Sequence, residues 1–154
     1  EGDAASFARV RQGDKLDWDL ATIAGPRAAL CFALDLDYTA DPNQRVFTFG
    51  PPREATWDFP VPAYLAGIQD VFRIDADGIH PAQWKPASKG ITISETANRV
   101  SVYVATPDPA LRAALDSRRA ALVASEQALG FDPIQNDTDF NALVELNKAK
   151  KEKD

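Results

Sequence analysis

Paired carboxylates are the first residues of this chain that could do chemistry. Asp17 and Asp19 flank Trp18, Asp35 and Asp37 repeat the spacing, and Asp41 and Asn43 follow in a short loop. A strand end that runs into an Asx-rich loop can converge several hard oxygen donors, so Asp35, Asp37, Asp41 and Asn43 form a candidate calcium site. The glycine that sharpens a helix–loop–helix calcium loop and its downstream bidentate glutamate are both missing. At Asp17 and Asp19 a period of two points Leu16, Trp18 and Leu20 inward and both acids to water, which favours a structural role.

Other catalytic chemistry meets shortages. The chain has one histidine and one cysteine, which excludes multi-histidine centres and thiolate-rich zinc sites. A Ser-His-Asp arrangement could be built only around His80, with Asp75 or Asp77 as orienter, and no Gly-x-Ser-x-Gly elbow accompanies it. Glycine loops for phosphate are absent. Cys31 sits among hydrophobes and reads as a small buried side chain. Two acids performing glycoside hydrolysis could converge from anywhere, but nothing singles out a pair.

Binding chemistry is better supplied. A flat aromatic ring can cover the apolar face of a sugar while neighbouring polar groups take its hydroxyls. Trp57, Tyr64, Trp84 and Tyr103 are the candidate platforms, with Asp58, Gln83, Arg73 and Asn98 as polar partners. Trp57 lies between turn-forming prolines and Trp84 lies in Pro81-Ala-Gln-Trp-Lys-Pro86. Both are therefore expected nearer to solvent than Trp18.

The elements that must position these residues centre on residues 28–38. Apolar residues run unbroken from Ala28 to Leu34, as in a strand covered on both faces. Leu30, Phe32 and Leu34 share a large face, which predicts an opposing sheet. Ala29, Cys31 and Ala33 share a small one, which predicts a helix lying close. Residues 16–20, 45–50, 57–59, 71–74, 90–94 and 99–104 also read as strands, with valines 100, 102 and 104 inward and Ser101 and Tyr103 outward. Pro60 and Pro62 place the 57–59 segment at an edge or in an irregular crossing. Asp77-Gly78 between apolar segments signals a hairpin; a two-residue turn sets Asp75 opposite His80, and a three-residue turn shifts that pairing by one.

At Asp108-Pro109 the period changes. Asp108 is an N-cap, Pro109 opens the helix, and the pattern runs to Leu129 before Gly130 stops it. Leu111, Leu115, Leu122 and Leu129 form a ridge beside Ala114, Ala121 and Ala128. A shorter helix is expected from Asp137, with Phe140, Leu143 and Val144 folding back, followed by a basic tail over 148–154. The predicted fold is mainly β. It is an antiparallel, jelly-roll-like β-sandwich over 1–107, with a long helix packed on one sheet and a second short helix within 108–147, all in one domain of 154 residues.

Composition bounds the partners. A net charge of −6 argues against a nucleic-acid binder, which needs a basic surface to release counterions. No apolar run is long enough to span a bilayer. Methionine is absent, including at position 1, so the chain is expected to be either a mature protein after signal-peptide removal or a fragment of a longer one; the start Glu-Gly-Asp-Ala-Ala suits the former and an extracytoplasmic setting. Three functions accord with these features: a non-catalytic carbohydrate-binding module with a polysaccharide partner, a protein-interaction domain using the long helix, and a small hydrolase using carboxylates.

Overall fold

The computed structural model describes residues 4–12, 15–41, 43, 46–130 and 142. Its strands are β1 (Ala4–Gln12), β2 (Lys15–Ala24), β3 (Ala29–Asp35), β4 (Tyr38–Asp41), β5 (Val46–Phe49), β6 (Arg53–Pro60), β7 (Asp70–Ile74), β8 (Ile79–Pro81), β9 (Gln83–Ala87), β10 (Gly90–Ala97) and β11 (Val100–Thr106). A 3-10 turn, Ala63–Leu65, precedes β7, and α1 (Leu111–Ala128) follows β11. The chain divides into two units, Glu1–Ala113 with all these strands and Ala114–Asp154. The protein is thus mainly β with one described helix.

A six-stranded sheet runs β1-β2-β3-β11-β7-β8, a three-stranded sheet runs β6-β10-β9, and β4 and β5 form a separate ribbon. Every pairing is antiparallel. The prolines behave as their missing donors require, since Pro60 lies in β6 and Pro86 in β9, the two edges of the three-stranded sheet.

One core joins the two larger sheets. Trp18 and Leu20 of β2, Cys31 and Ala33 of β3, and Tyr103 of β11 meet Trp57 and Phe59 of β6 and Ile91 and Ile93 of β10. The Trp18 and Trp57 rings stand edge to face with centroids 4.8 Å apart, the geometry their quadrupoles prefer.

This core reverses the faces expected for β3. Its small residues, Cys31 and Ala33, face the three-stranded sheet, and Ala29 packs with Ala24 and Leu65. Trp18, Trp57 and Tyr103 already fill the space between the sheets, so the central strand there must be thin. Strands β6 and β10, not the expected helix, supply the neighbours of Cys31 and Ala33, and no residue of α1 is buried. The larger face turns the other way, where Leu30 is 39% exposed and Ile23, its register partner on β2, is 44% exposed.

β11 is inverted as well. Ser101, Tyr103 and Ala105 are buried, whereas Val100 is 56% exposed and Val102 half-buried; Val104, at 3%, is buried as expected, so this end of the strand is covered on both faces. Valine marks a strand but not its inner face, and a partner for the phenol lets Tyr103 go inside. The 75–78 hairpin also differs from expectation. Asp75 and Gly78 exchange backbone hydrogen bonds of 3.0 and 3.2 Å, which makes Ala76-Asp77 the turn and sets Arg73 opposite His80. The helix expected from Asp137, with Phe140, Leu143 and Val144, and the 148–154 tail fall outside the described residues apart from Ala142, which is helical.

Candidate ligand-binding cleft

β6 ends at Pro60, and residues 61–68 carry the chain towards β7 in the other sheet. Pro62 fixes the entry to the 3-10 turn, where the Leu65 N–H donates to the Pro62 carbonyl at 2.9 Å and the Ala66 N–H to the Ala63 carbonyl at 3.0 Å. The turn drops Leu65 into a small apolar cluster with Ala24 and Ala29. Across from it, β9 and β10 are joined through Ser88-Lys89, and the Lys89 carbonyl accepts from the Val61 N–H at 3.0 Å.

The two segments can approach this closely because residue 90 is glycine. A Cβ there would stand 2.0 Å from the Phe59 carbonyl oxygen and 2.7 Å from the Val61 nitrogen. A cleft of about 600 Å³ results, walled chiefly by Val61, Leu65, Ile68, Trp84, Pro86 and Ile91, with Ser88 and Lys89 as its polar side chains. A concave, mainly apolar site with a few polar groups is the usual form of a small-ligand site, within a typical range of roughly 300–1,000 Å³.

Of the four aromatic platforms expected, only Trp84 lies in this cleft, half-buried and packed against the core. Tyr64 is 59% exposed, and its hydroxyl donates to the Ala24 carbonyl at 3.2 Å. It does not line the cleft. Trp57 and Tyr103 are 1% and 0% exposed, so neither can meet a ligand. Prolines correctly marked the Trp57 segment as an edge strand, but an edge strand still turns alternate residues to the core. Asp58 is exposed on the outer side of β6 and accepts from the Thr92 hydroxyl at 2.6 Å. It borders a smaller recess of about 220 Å³ that shares Lys89, Gly90 and Ile91 with the cleft.

Gln83 lines a different, more polar cleft of about 480 Å³ with Glu54, Thr56, Ser94, Glu95 and Thr96. One of its two carboxylates is committed, because Glu95 accepts from the Arg73 guanidinium on Oε1 and from the Tyr103 hydroxyl on Oε2. Arg73 also pairs with Asp75 at 3.0 Å, and His80 Nε2 lies 3.1 Å from the same carboxylate. Burial, reinforced by the neighbouring Glu95, raises the Tyr103 phenol well above its ordinary range. Partial desolvation of the exposed Asp75 opposes its ionisation. The N–H groups of Gly78 and Asp77 and the His80 ring outweigh that and hold it below the usual carboxylate range. His80 thus closes a chain of side chains that begins at a core tyrosine. Asn98 donates to the Gly50 carbonyl at 2.7 Å and ties a connection rather than a ligand.

The candidate calcium ligands are engaged with the protein. Asp35 is fully buried and receives the Arg53 guanidinium on both oxygens at 2.9 Å, while its Oδ1 also accepts from the Asp37 N–H at 2.8 Å. Arg53 binds Asp17 too and stacks over Trp18 at 4.4 Å. The hydrogen bond to Asp35 raises the Arg53 pKa further. Asp41 accepts the Asn43 N–H at 2.8 Å in a local turn. Among the described residues no three His, Cys, Asp or Glu side chains converge on a point that could hold a metal.

Sequence reasoning missed most of the cleft. Leu65, Ile68, Ser88 and Lys89 carry no motif, and only the turn-forming Pro62 hinted that this connection is shaped. It also missed Tyr38, 41% exposed, which packs on Phe47 and Phe49 in the separate ribbon with centroids 5.6 Å away in each case. Among the described residues no helix is long and apolar enough to cross a membrane. No family model matches the chain, and no curated protein or solved structure is significantly similar to it.

Proposed function

We propose that the strand-bearing part of the chain is a jelly-roll-like β-sandwich that binds a ligand without transforming it, and that the ligand is a saccharide seated against Trp84. The observation that carries this reading is the cleft of about 600 Å³ in which one half-buried indole stands among aliphatic walls beside Ser88 and Lys89. A sugar ring offers an apolar face to the indole and a hydroxyl edge to those two polar side chains. An extracytoplasmic location belongs to the same proposal, supported by the methionine-free composition.

Tryptophan emission tests it cleanly, because Trp18 and Trp57 are each 1% exposed and Trp84 is the remaining tryptophan. Titration with soluble polysaccharides and short oligosaccharides should shift and quench the Trp84 emission. Trp84→Ala should weaken binding at least about tenfold, as for a central aromatic anchor, with the near-UV signal of the core retained. The saccharide reading sinks if no glycan perturbs the emission, or if Trp84→Ala binds as the wild type does.

A second reading, an assembly domain that uses α1, is favoured by one specific observation. Its 18 residues include none that is buried.

A further inference from the structure

α1 presents an apolar row to water. Leu122 is 58% exposed and Leu129, just past the helix, 85%, while Leu115 is half-exposed; Val123, at 36%, lies about 100° around the helix from them. Leu115, Leu122 and Leu129 recur every seventh residue, which is close to two full turns and keeps them in one row. Ala114, Ala121 and Ala128 repeat at the same interval along one flank, where small side chains let a second helix backbone come near. Seven-residue spacing is the period by which helices pair along their length.

Charge selects the partner and its direction. Arg118 lies four residues before Leu122 and Glu126 four after it, each about 40° around the helix from Leu122 at 3.6 residues per turn. A parallel copy of the same helix would set Arg118 beside Arg118. An antiparallel copy, related by a twofold axis at Leu122, sets Leu122 against Leu122, Leu115 against Leu129, and Arg118 level with Glu126 on both sides of the axis. A surface that complements itself under a twofold rotation is what an isologous contact requires.

We propose that α1 is a self-association surface, occupied by α1 of a second copy of this chain running antiparallel and centred on Leu122. The proposal does not depend on the Trp84 cleft. A helix pair of about five turns falls below the standard interface size, so the dissociation constant should be weak, roughly 10–100 µM.

Sedimentation equilibrium of the full chain from about 1 to 500 µM tests it, a span chosen to bracket that affinity. The wild type should pass from monomer to dimer. Leu122→Asp should stay monomeric throughout. Arg118→Glu and Glu126→Arg should each weaken association at least about tenfold, and the two together should restore it to within about threefold, as coupled partners do. Far-UV circular dichroism should show the same helix content in every variant. A wild type that is monomeric over the whole range overturns the proposal. So does a dimer that survives Leu122→Asp, a single charge reversal without effect, or a double reversal that fails to restore pairing.

Discussion

At the scale of single residues, position on a strand decided fate more than residue type did. Alternation around Trp18 told its burial, because a sustained period of two identifies a face, but not that Asp17, expected in water, is half-buried and bound to Arg53. Trp57 offered no such run, and its prolines spoke only of the sheet edge. Asp35 is the other case that local sequence could not settle. Its Arg53 partner comes from another sheet, and a contact between distant segments leaves no periodic trace. That pair makes a direct prediction. Arg53→Leu would leave the fully buried Asp35 carboxylate without its counter-charge, at a cost of about 3–5 kcal/mol. Urea unfolding should show a midpoint lowered to match, and a midpoint within experimental error of the wild type would refute the role given to the pair.

At the scale of elements, strand existence was legible from alternation, and the helix from Asp108-Pro109 at its start and Gly130 at its end. The Asp108 carboxylate does accept the Ala110 N–H at 2.9 Å, and Gly130 takes a positive φ of 67°, which suits glycine after a last turn. The N–H of Ala110 and then Arg27 hold the Asp108 carboxyl below its usual range. Which face of β3 or β11 is inner was not legible, because that depends on volumes supplied by β2, β6 and β10 across the core. Gly90 carries the prediction at this scale. Gly90→Ala brings a methyl within 2.0 Å of the Phe59 carbonyl, so the β6–β10 edge must part. The expected loss is about 1–3 kcal/mol, as for other overpacking changes, seen as a lower thermal midpoint together with weaker ligand binding in the cleft that these strands wall. Unchanged thermal stability would show that the close approach at residue 90 is easily relaxed.

At the scale of the molecule, the core sets how the protein responds to alkali. Burial pushes the Cys31 thiol from 9.0 up to about 12, and raises the Tyr103 phenol above 10.0. The unfolded chain therefore loses protons that the folded one still holds, so stability must fall as pH rises. The fall begins near 9.0 for the thiol and ends near 12, with a slope of about 1.4 kcal/mol per pH unit for each group inside its window. Urea midpoints measured from pH 8 to pH 11, a range chosen to span the onset, should decline, and Cys31→Ala should delay the onset until tyrosine ionises. A flat profile would contradict the burial of both groups. Asp35 has one more consequence. Because β3 is apolar on both faces from Ala29 to Leu34, its hydrophobic residues alone discriminate poorly between correct and shifted alignments with β2. Sliding it by one position would turn Asp35 to the outer face, away from Arg53, and leave that guanidinium without its buried partner between the sheets. The ion pair therefore works as a key that penalises every misalignment of the central strand, even though its net gift to the folded state is small.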